Sequence, residues 1–302
     1  MIEATPLVHL RRLSPHSEVR ILAKLEWFLP TGSVKDRIAL EMLNRAEADG
    51  QLGPGAHLLE PSSGNTGIAL ARLAGQRGYR LTVVLPGNVS DERKALLRLL
   101  GAELIETPGD QGSNGAIRHA HELATEPGIV MLDQYSNAAN PDAHYLGTGQ
   151  EILTQADHVD AFVACLGTGG TLMGVGRALR EAYSDVEIVA AEPPAGEFIS
   201  GLRSLEEGFV PPIFDPSAID GKILVRTRDA ISMCRRLLTE EGLFAGLSSG
   251  AAVHASLRWA EKLDGGTIVT LLPDGGWKYL STGAWSGPIS EAEDRLRGQV
   301  YF

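Results

Sequence analysis

The stretch His57-Leu-Leu-Glu-Pro-Ser-Ser-Gly-Asn-Thr-Gly67 carries the reading of the fold. A short apolar run, predicted as a strand over 57–60, breaks at a Pro/Ser/Gly turn, and helical spacing takes over from 64 to 78. Toward the C-terminus the same alternation returns. Strands are predicted over 81–85 and 103–106, around a helix over 90–100 with Ser90 as its N-cap. The polar, Gly-rich residues 107–114 read as a loop. Further strands at 161–166, 186–191 and 267–272 and a helix at 170–183 repeat the pattern, which predicts an α/β protein with parallel strands joined by helices. Residues 137–141 and the Pro-rich segment 193–220 are the clearest breaks, and no fixed-period repeat is visible.

A chain of 302 residues is long enough for two domains, and 43% hydrophobic with 22% charged residues is the composition of an ordinary folded protein. The formal charge of -11 argues against a broad basic surface for nucleic acid, so an anionic ligand needs a local cluster of donors. Cys165 and Cys234 are far apart and form no Cys-x-x-Cys pair, so they read as two buried thiols rather than a disulfide, zinc or redox motif. The eight histidines show no metal-binding spacing, and they read as structural or exposed. The start of the chain lacks a basic, apolar leader and no run approaches a membrane span, so the expected location is the cytoplasm.

Three segments suit chemistry. In Leu29-Pro-Thr-Gly-Ser-Val-Lys-Asp-Arg37 a Pro/Gly turn delivers Lys35 into the first turn of a helix. Alone, such a lysine is usually a solvated charge; it becomes a Schiff-base former only where its neutral amine is favoured. Residues 60–67 lie where a strand ends and a helix begins, the place where open α/β sheets bind ligands. Ser62, Ser63, Asn65 and Thr66 there offer hydroxyl, amide and backbone donors suited to a carboxylate, though an N-cap with a tight turn has the same composition. Gly167-Thr-Gly-Gly-Thr171 also follows a strand and opens a helix, so its glycines let the backbone approach a phosphate. The dinucleotide fingerprint fails there because Leu172 occupies the last glycine position. Gly246-Leu-Ser-Ser-Gly250 and residues 273–282 add two more Gly/Ser turns.

In this order the segments resemble the β-family, fold type II, of pyridoxal-phosphate enzymes, the tryptophan synthase β-like group, and within it the cysteine synthases. Thr5-Pro-Leu-Val8, residues 31–37, 60–67, 167–171, 246–250 and Lys278-Tyr-Leu-Ser-Thr282 all match, so the resemblance covers nearly the whole chain. It implies two domains with parallel-type sheets flanked by helices: a smaller, mobile substrate-loop domain at 37–145, and a larger cofactor-binding domain at 1–36 and 146–302. It also implies that Lys35 holds pyridoxal 5'-phosphate as a Schiff base and moves the α-proton, and that Asn65 bonds the ring hydroxyl. Gly167, Thr168, Gly169, Gly170 and Thr171 would cradle the cofactor phosphate. Ser62, Ser63, Thr66 and Gln134 would bind the substrate carboxylate, with Ser62 standing where the family usually has threonine. Ser248 would face the pyridine nitrogen, and its neutral hydroxyl makes the cofactor a moderated electron sink.

Within the cysteine synthases, the short segment 192–212, with Leu202 and Arg203, looks like the actinobacterial-type branch. That branch makes cysteine from O-phosphoserine through an α-aminoacrylate. It takes sulfur from a thiocarboxylated, ubiquitin-like carrier protein or from sulfide. Arg203 matches the arginine that grips the substrate phosphate there, and a planar guanidinium can do so bidentately. The plain alternative is a surface ion pair of Arg203 with Glu206 or Glu207. Residues 296–302 resemble the tail of that branch, so 299–302 are expected to shield the reactive intermediate. A homodimer follows from the family. Two other readings stay open: an O-acetylserine sulfhydrylase, and a non-catalytic regulatory binding module.

Overall fold

The structure, a computed structural model, describes residues 2–15 and 17–297, with the side chain of Glu207 left aside. The first half of the chain runs β1 (Leu7–His9), β2 (Val19–Leu25), α1 (Lys35–Ala48), β3 (His57–Pro61), α2 (Asn65–Arg77) and β4 (Arg80–Pro86). It continues through α3 (Asp91–Leu99), β5 (Glu103–Thr107), α4 (Gly112–Leu123), β6 (Ile129–Met131), α5 (Ala139–Ala143) and α6 (Gln150–Gln155). Then come β7 (Ala161–Cys165), α7 (Gly170–Ala182), β8 (Glu187–Glu192), β9 (Gly221–Leu224), α8 (Thr227–Glu241), α9 (Leu247–Ala260), β10 (Gly266–Leu272) and α10 (Ile289–Arg297). No described helix is long and apolar enough to cross a membrane.

Two compact units emerge. One comprises the described residues up to Val34 together with Pro141–Arg297, and the other is Lys35–Asn140. The first is built on a six-stranded sheet in the order β1-β2-β10-β7-β8-β9, parallel except for β1 against β2. The second is built on a wholly parallel sheet in the order β5-β4-β3-β6. The α/β architecture expected of fold type II is therefore present, with helices covering the parallel strands. In the first unit Phe162, Val269 and Ile188 on the sheet pack with Leu172, Val175 and Leu179 of α7. In the second, Leu59 and Val84 pack under Ala116 and Ala120 of α4. Such alternating apolar strand and helix faces are what the period-2 and period-3.6 patterns dictate.

One local reading needs correction and two gain detail. Residues 107–114 are not one loop: a single 3-10 turn at Gly109–Gln111 leads into α4, which begins at Gly112. Gly112 makes the turn possible with φ +55°, a left-handed backbone that a side chain disfavours. The break at 137–141 contains the division between the two units, at Asn140 and Pro141, and locally it is a helix start, since Asn137 Oδ1 accepts the Ala139 N–H at 2.9 Å and Pro141 lies in the first turn. Proline costs nothing there because first-turn N–H groups have no helical acceptor. The helix then continues from α5 through a π-helical turn at His144–Gly149 into α6. Ser90 does occupy the N-cap of α3, but its side chain makes no capping hydrogen bond.

Candidate active site

In the unit Lys35–Asn140 the site grows from the carboxyl ends of β3 and β6. Glu60 and Pro61 close β3, and residues 62–64 bridge to α2. Ser62 is buried, and its hydroxyl accepts the N–H groups of Gly67 at 3.0 Å and Gly64 at 3.3 Å, folding the loop back over the helix start. These bonds hold the turn, a task serine or threonine can perform equally. Ser63 is 1% exposed, and its hydroxyl has no hydrogen-bond partner among the described residues. A buried hydroxyl left so is costly and fits a missing polar ligand. The Thr66 hydroxyl donates to Gln134 Oε1 at 2.7 Å, joining the first turn of α2 to the segment after β6. Asn65, the first residue of α2, is half-buried. Lys35 is the first residue of α1 and is likewise half-buried, with the buried Asp36 and Arg37 behind it.

The other unit gathers a second set of residues. Just before Lys35, the Val34 N–H donates to the Pro273 carbonyl at 2.8 Å and Ser33 bridges Asp274, so this strand of chain is tied to the end of β10. Gly167, Thr168 and Gly169 turn from β7 into α7, where Gly170 and Thr171 form the first turn. Gly169 has φ +88°, and a Cβ there would stand 2.8 Å from Phe214. Thr168 Oγ1 accepts the Gly170 N–H at 3.4 Å, and Thr171 Oγ1 lies 3.2 Å from His144 Nε2. A helix N-terminus approached by glycines is a site for a phosphate, since backbone N–H groups converge and the helix dipole favours negative charge.

Ser248 is buried in the first turn of α9, and its carbonyl accepts the Cys165 thiol at 3.0 Å. Gly201, with φ +87°, passes so close that a Cβ would lie 3.4 Å from Ser248 Cβ. Two residues later the Arg203 N–H donates to the Leu166 carbonyl at 2.8 Å, directly before the glycine loop. Gly167–Thr171, Ser248 and Arg203 are therefore brought together in one unit. Arg203 is only 6% exposed, and its guanidinium lies 4.6 Å from the centre of the Phe209 ring, which removes it from the class of solvated surface charges.

The chain matches the family described as pyridoxal-phosphate dependent enzyme over residues 1–274. It belongs to that family. A cysteine synthase of Staphylococcus aureus (strain Mu50 / ATCC 700699) is 44% identical over 296 residues, covering 95% of this chain and 96% of the relative. Among solved structures, an O-ureido-L-serine synthase superposes with a TM-score of 0.88 at 41% identity, over 93% of this chain and 92% of the other. A cysteine synthase (OASS) from Entamoeba histolytica gives 0.88 at 36% identity, over 98% and 93%. This chain is accordingly an enzyme of the pyridoxal-phosphate-dependent family.

The residues present fit that cofactor. The glycine cradle at the start of α7 suits its phosphate, and a lysine opens α1. Gly169→Ala tests the cradle: positive φ and the Phe214 contact should cost about 1–3 kcal/mol. A lowered melting temperature and faster loss of visible absorbance on dialysis are the expected readouts. Unchanged retention of the cofactor would remove the loop from the site.

The surroundings of the two cysteines disfavour their thiolates. Cys165 is half-buried rather than fully buried, Cys234 is buried, and both are free. Desolvation pushes the Cys165 thiol up, and it pushes Cys234 up to about 12, so neither is a thiolate near neutrality. No group of three or more possible metal ligands occurs among the described residues. Sequence reasoning missed three supports. Arg93 of α3 is buried and donates to the Ser63 carbonyl at 3.5 Å. His144 joins Thr148 and Thr171. Asp274, buried, accepts the Tyr279 hydroxyl at 2.6 Å beneath Gly246. Arg93 and His144 reach Ser63 and Thr171 across 30 and 27 residues, so no local pattern marks them. Residues 299–302, expected to close over the site, lie outside the described residues.

Proposed function

We propose that this enzyme makes L-cysteine by β-replacement on O-phosphoserine, with sulfur from a thiocarboxylated carrier protein or sulfide. The burial of Arg203 supports the substrate choice. Arg203 is 6% exposed with its main chain tied to Leu166 before the glycine loop; a guanidinium so enclosed is a strong donor for a dianionic phosphate, each charge-assisted hydrogen bond being worth roughly 1.5–3 kcal/mol. An acetyl ester offers it no comparable acceptor.

When bound, pyridoxal phosphate supplies the electron sink that acidifies the α-proton of an amino acid. Lys35 would hold the cofactor covalently, and its amine would carry the proton from and back to the substrate Cα. Gly167, Thr168, Gly169, Gly170 and Thr171 would bind the cofactor phosphate, Asn65 its ring hydroxyl, and Ser248 its ring nitrogen. Ser62, Ser63, Thr66 and Gln134 receive the substrate carboxylate. Arg203 neutralises the leaving phosphate, after which sulfur adds to the β-carbon. The substrate-loop role of residues 37–145, a homodimeric assembly and a cytoplasmic location belong to the same proposal.

A second reading, O-acetylserine as substrate, is favoured by the likeness to the Entamoeba histolytica OASS. Comparing kcat/KM for the two esters with sulfide as the common acceptor decides between them. A preference of at least tenfold for O-phosphoserine is expected. Preference for O-acetylserine would overturn the substrate, and the absence of any visible cofactor band would overturn the cofactor-dependent reading.

A further inference from the structure

Glu60 ends β3 fully buried, a position where a carboxyl is expensive unless its neighbours need it. Its Oε1 accepts the main-chain N–H of Gln134 at 3.1 Å, while its Oε2 is buried without a hydrogen-bond partner among the described residues. Gln134 carries the connection forward. Its Nε2 donates to the Pro61 carbonyl at 3.3 Å, and its Oε1 accepts the Thr66 hydroxyl at 2.7 Å. From the other side, Asn140 Nδ2 donates to the Gln134 carbonyl at 2.8 Å. A continuous path therefore ties the ends of β3 and β6 to the first turn of α2.

We propose that Glu60 is a positioning residue for the substrate carboxylate: by holding the Gln134 main chain it sets the Gln134 carboxamide and the Thr66 hydroxyl in place. This inference rests on the reading of Gln134 and Thr66 as carboxylate ligands. No short motif reveals the link, because 74 residues separate its two ends.

The charge on Glu60 decides how well the latch serves an anion. Burial raises its carboxyl to about 8; the N–H groups of Gln134 and Asp133 oppose the rise and the Asp133 carboxylate adds to it. The other charged groups on the packed elements are engaged elsewhere. His121 of α4 lies 3.9 Å from Asp133 Oδ2, and Arg118 donates to Gln111. Arg93 of α3 serves Ser63, Arg72 of α2 lies 3.7 Å from Asp36, and Arg77 lies 2.9 Å from Glu47. Arg80 of β4 is exposed.

Below about pH 8 a neutral carboxyl therefore stands behind the loop. Above it, a second negative charge joins that of Asp133 and repels a substrate carboxylate. Because the folded value exceeds the unfolded one, stability also falls as pH climbs from about 4.5 toward 8, and stays lowered above it.

The test is a visible-absorbance titration of the cofactor-loaded enzyme with L-serine, which carries the carboxylate but no ester, between pH 6.5 and 9.5. Glu60→Ala is expected to weaken L-serine binding about tenfold below pH 8, where the parent carboxyl is neutral, and by less above it. Glu60→Gln keeps an acceptor for the Gln134 N–H, so it should recover most of that loss, abolish the extra weakening above pH 8 and flatten the melting temperature against pH. If Glu60→Ala binds within twofold of the parent while Gln134→Ala binds far more weakly, the positioning role is overturned. If Gln134→Ala itself binds like the parent, the carboxylate reading of Gln134 fails instead. Should Glu60→Ala not fold, Glu60→Leu, which fills the space without an acceptor for the Gln134 N–H, takes its place, and L-serine binding within twofold of the parent overturns the proposal.

Discussion

Lys35→Ala is expected to lower cysteine formation by about 10⁴-fold while leaving the fold intact. Two losses combine in that number. A lysine that binds a carbonyl cofactor covalently holds it in register, and the same amine relays the α-proton, a function worth roughly 10²–10⁴-fold on its own. Lys35 is half-buried at the first position of α1, at the end of a helix where the macrodipole disfavours a cation. Gly167–Thr171 are untouched by the substitution, so the cofactor should still bind, reversibly. Two measurements check this: turnover, and the fraction of cofactor that stays with the protein after denaturation. Parental turnover, or cofactor that survives denaturation bound to the variant, would show that another residue performs the chemistry.

The second large effect concerns Arg203. Arg203→Leu should reduce kcat/KM for O-phosphoserine by about 10²–10⁴-fold, the loss of two charge-assisted hydrogen bonds of roughly 1.5–3 kcal/mol each. For O-acetylserine the same variant should stay within about threefold, since its ester carries no charge to lose. Arg203→Lys should recover only part of the deficit, because an ammonium keeps the charge without the planar fork. Leucine is chosen because the site is 6% exposed and lies beside Phe209, so an apolar side chain keeps part of the packing without leaving a buried polar group. Equal losses for both esters would mean that Arg203 supports the loop after Leu166 rather than recognising phosphate. That outcome would leave O-acetylserine as the better substrate reading.

Much of the scaffold is legible in the amino-acid sequence. The strand at His57–Pro61, the turn after it and the helix at Asn65–Arg77 sit where apolar periodicity and the Ser/Gly break put them. The glycine loop before α7 is likewise visible, because a positive φ at a helix start has few chemical solutions. The first strands are not. β1 is three residues long, and β2 owes its place to pairing with β10, about 245 residues away. The loop reading of 107–114 fails because Gly and Ser signal both turns and helix starts, and only the packing of α4 on β3 and β4 selects the second.

The order and spacing of the short motifs determined the family, the cofactor and the α/β class, since each strand-to-helix junction draws on a narrow set of residues for backbone reasons alone. Tertiary structure decided which side chains support them. Glu60 meets Gln134, Arg93 meets Ser63, and Arg203 is buried beside Leu166, across separations of 74, 30 and 37 residues. Burial pushes the Glu60 carboxyl up to about 8, and it encloses Arg203 at 6% exposure where sequence alone allowed a solvated position. Desolvation is a property of surroundings, and those surroundings exist only once parallel strands bring distant segments to one edge of a sheet.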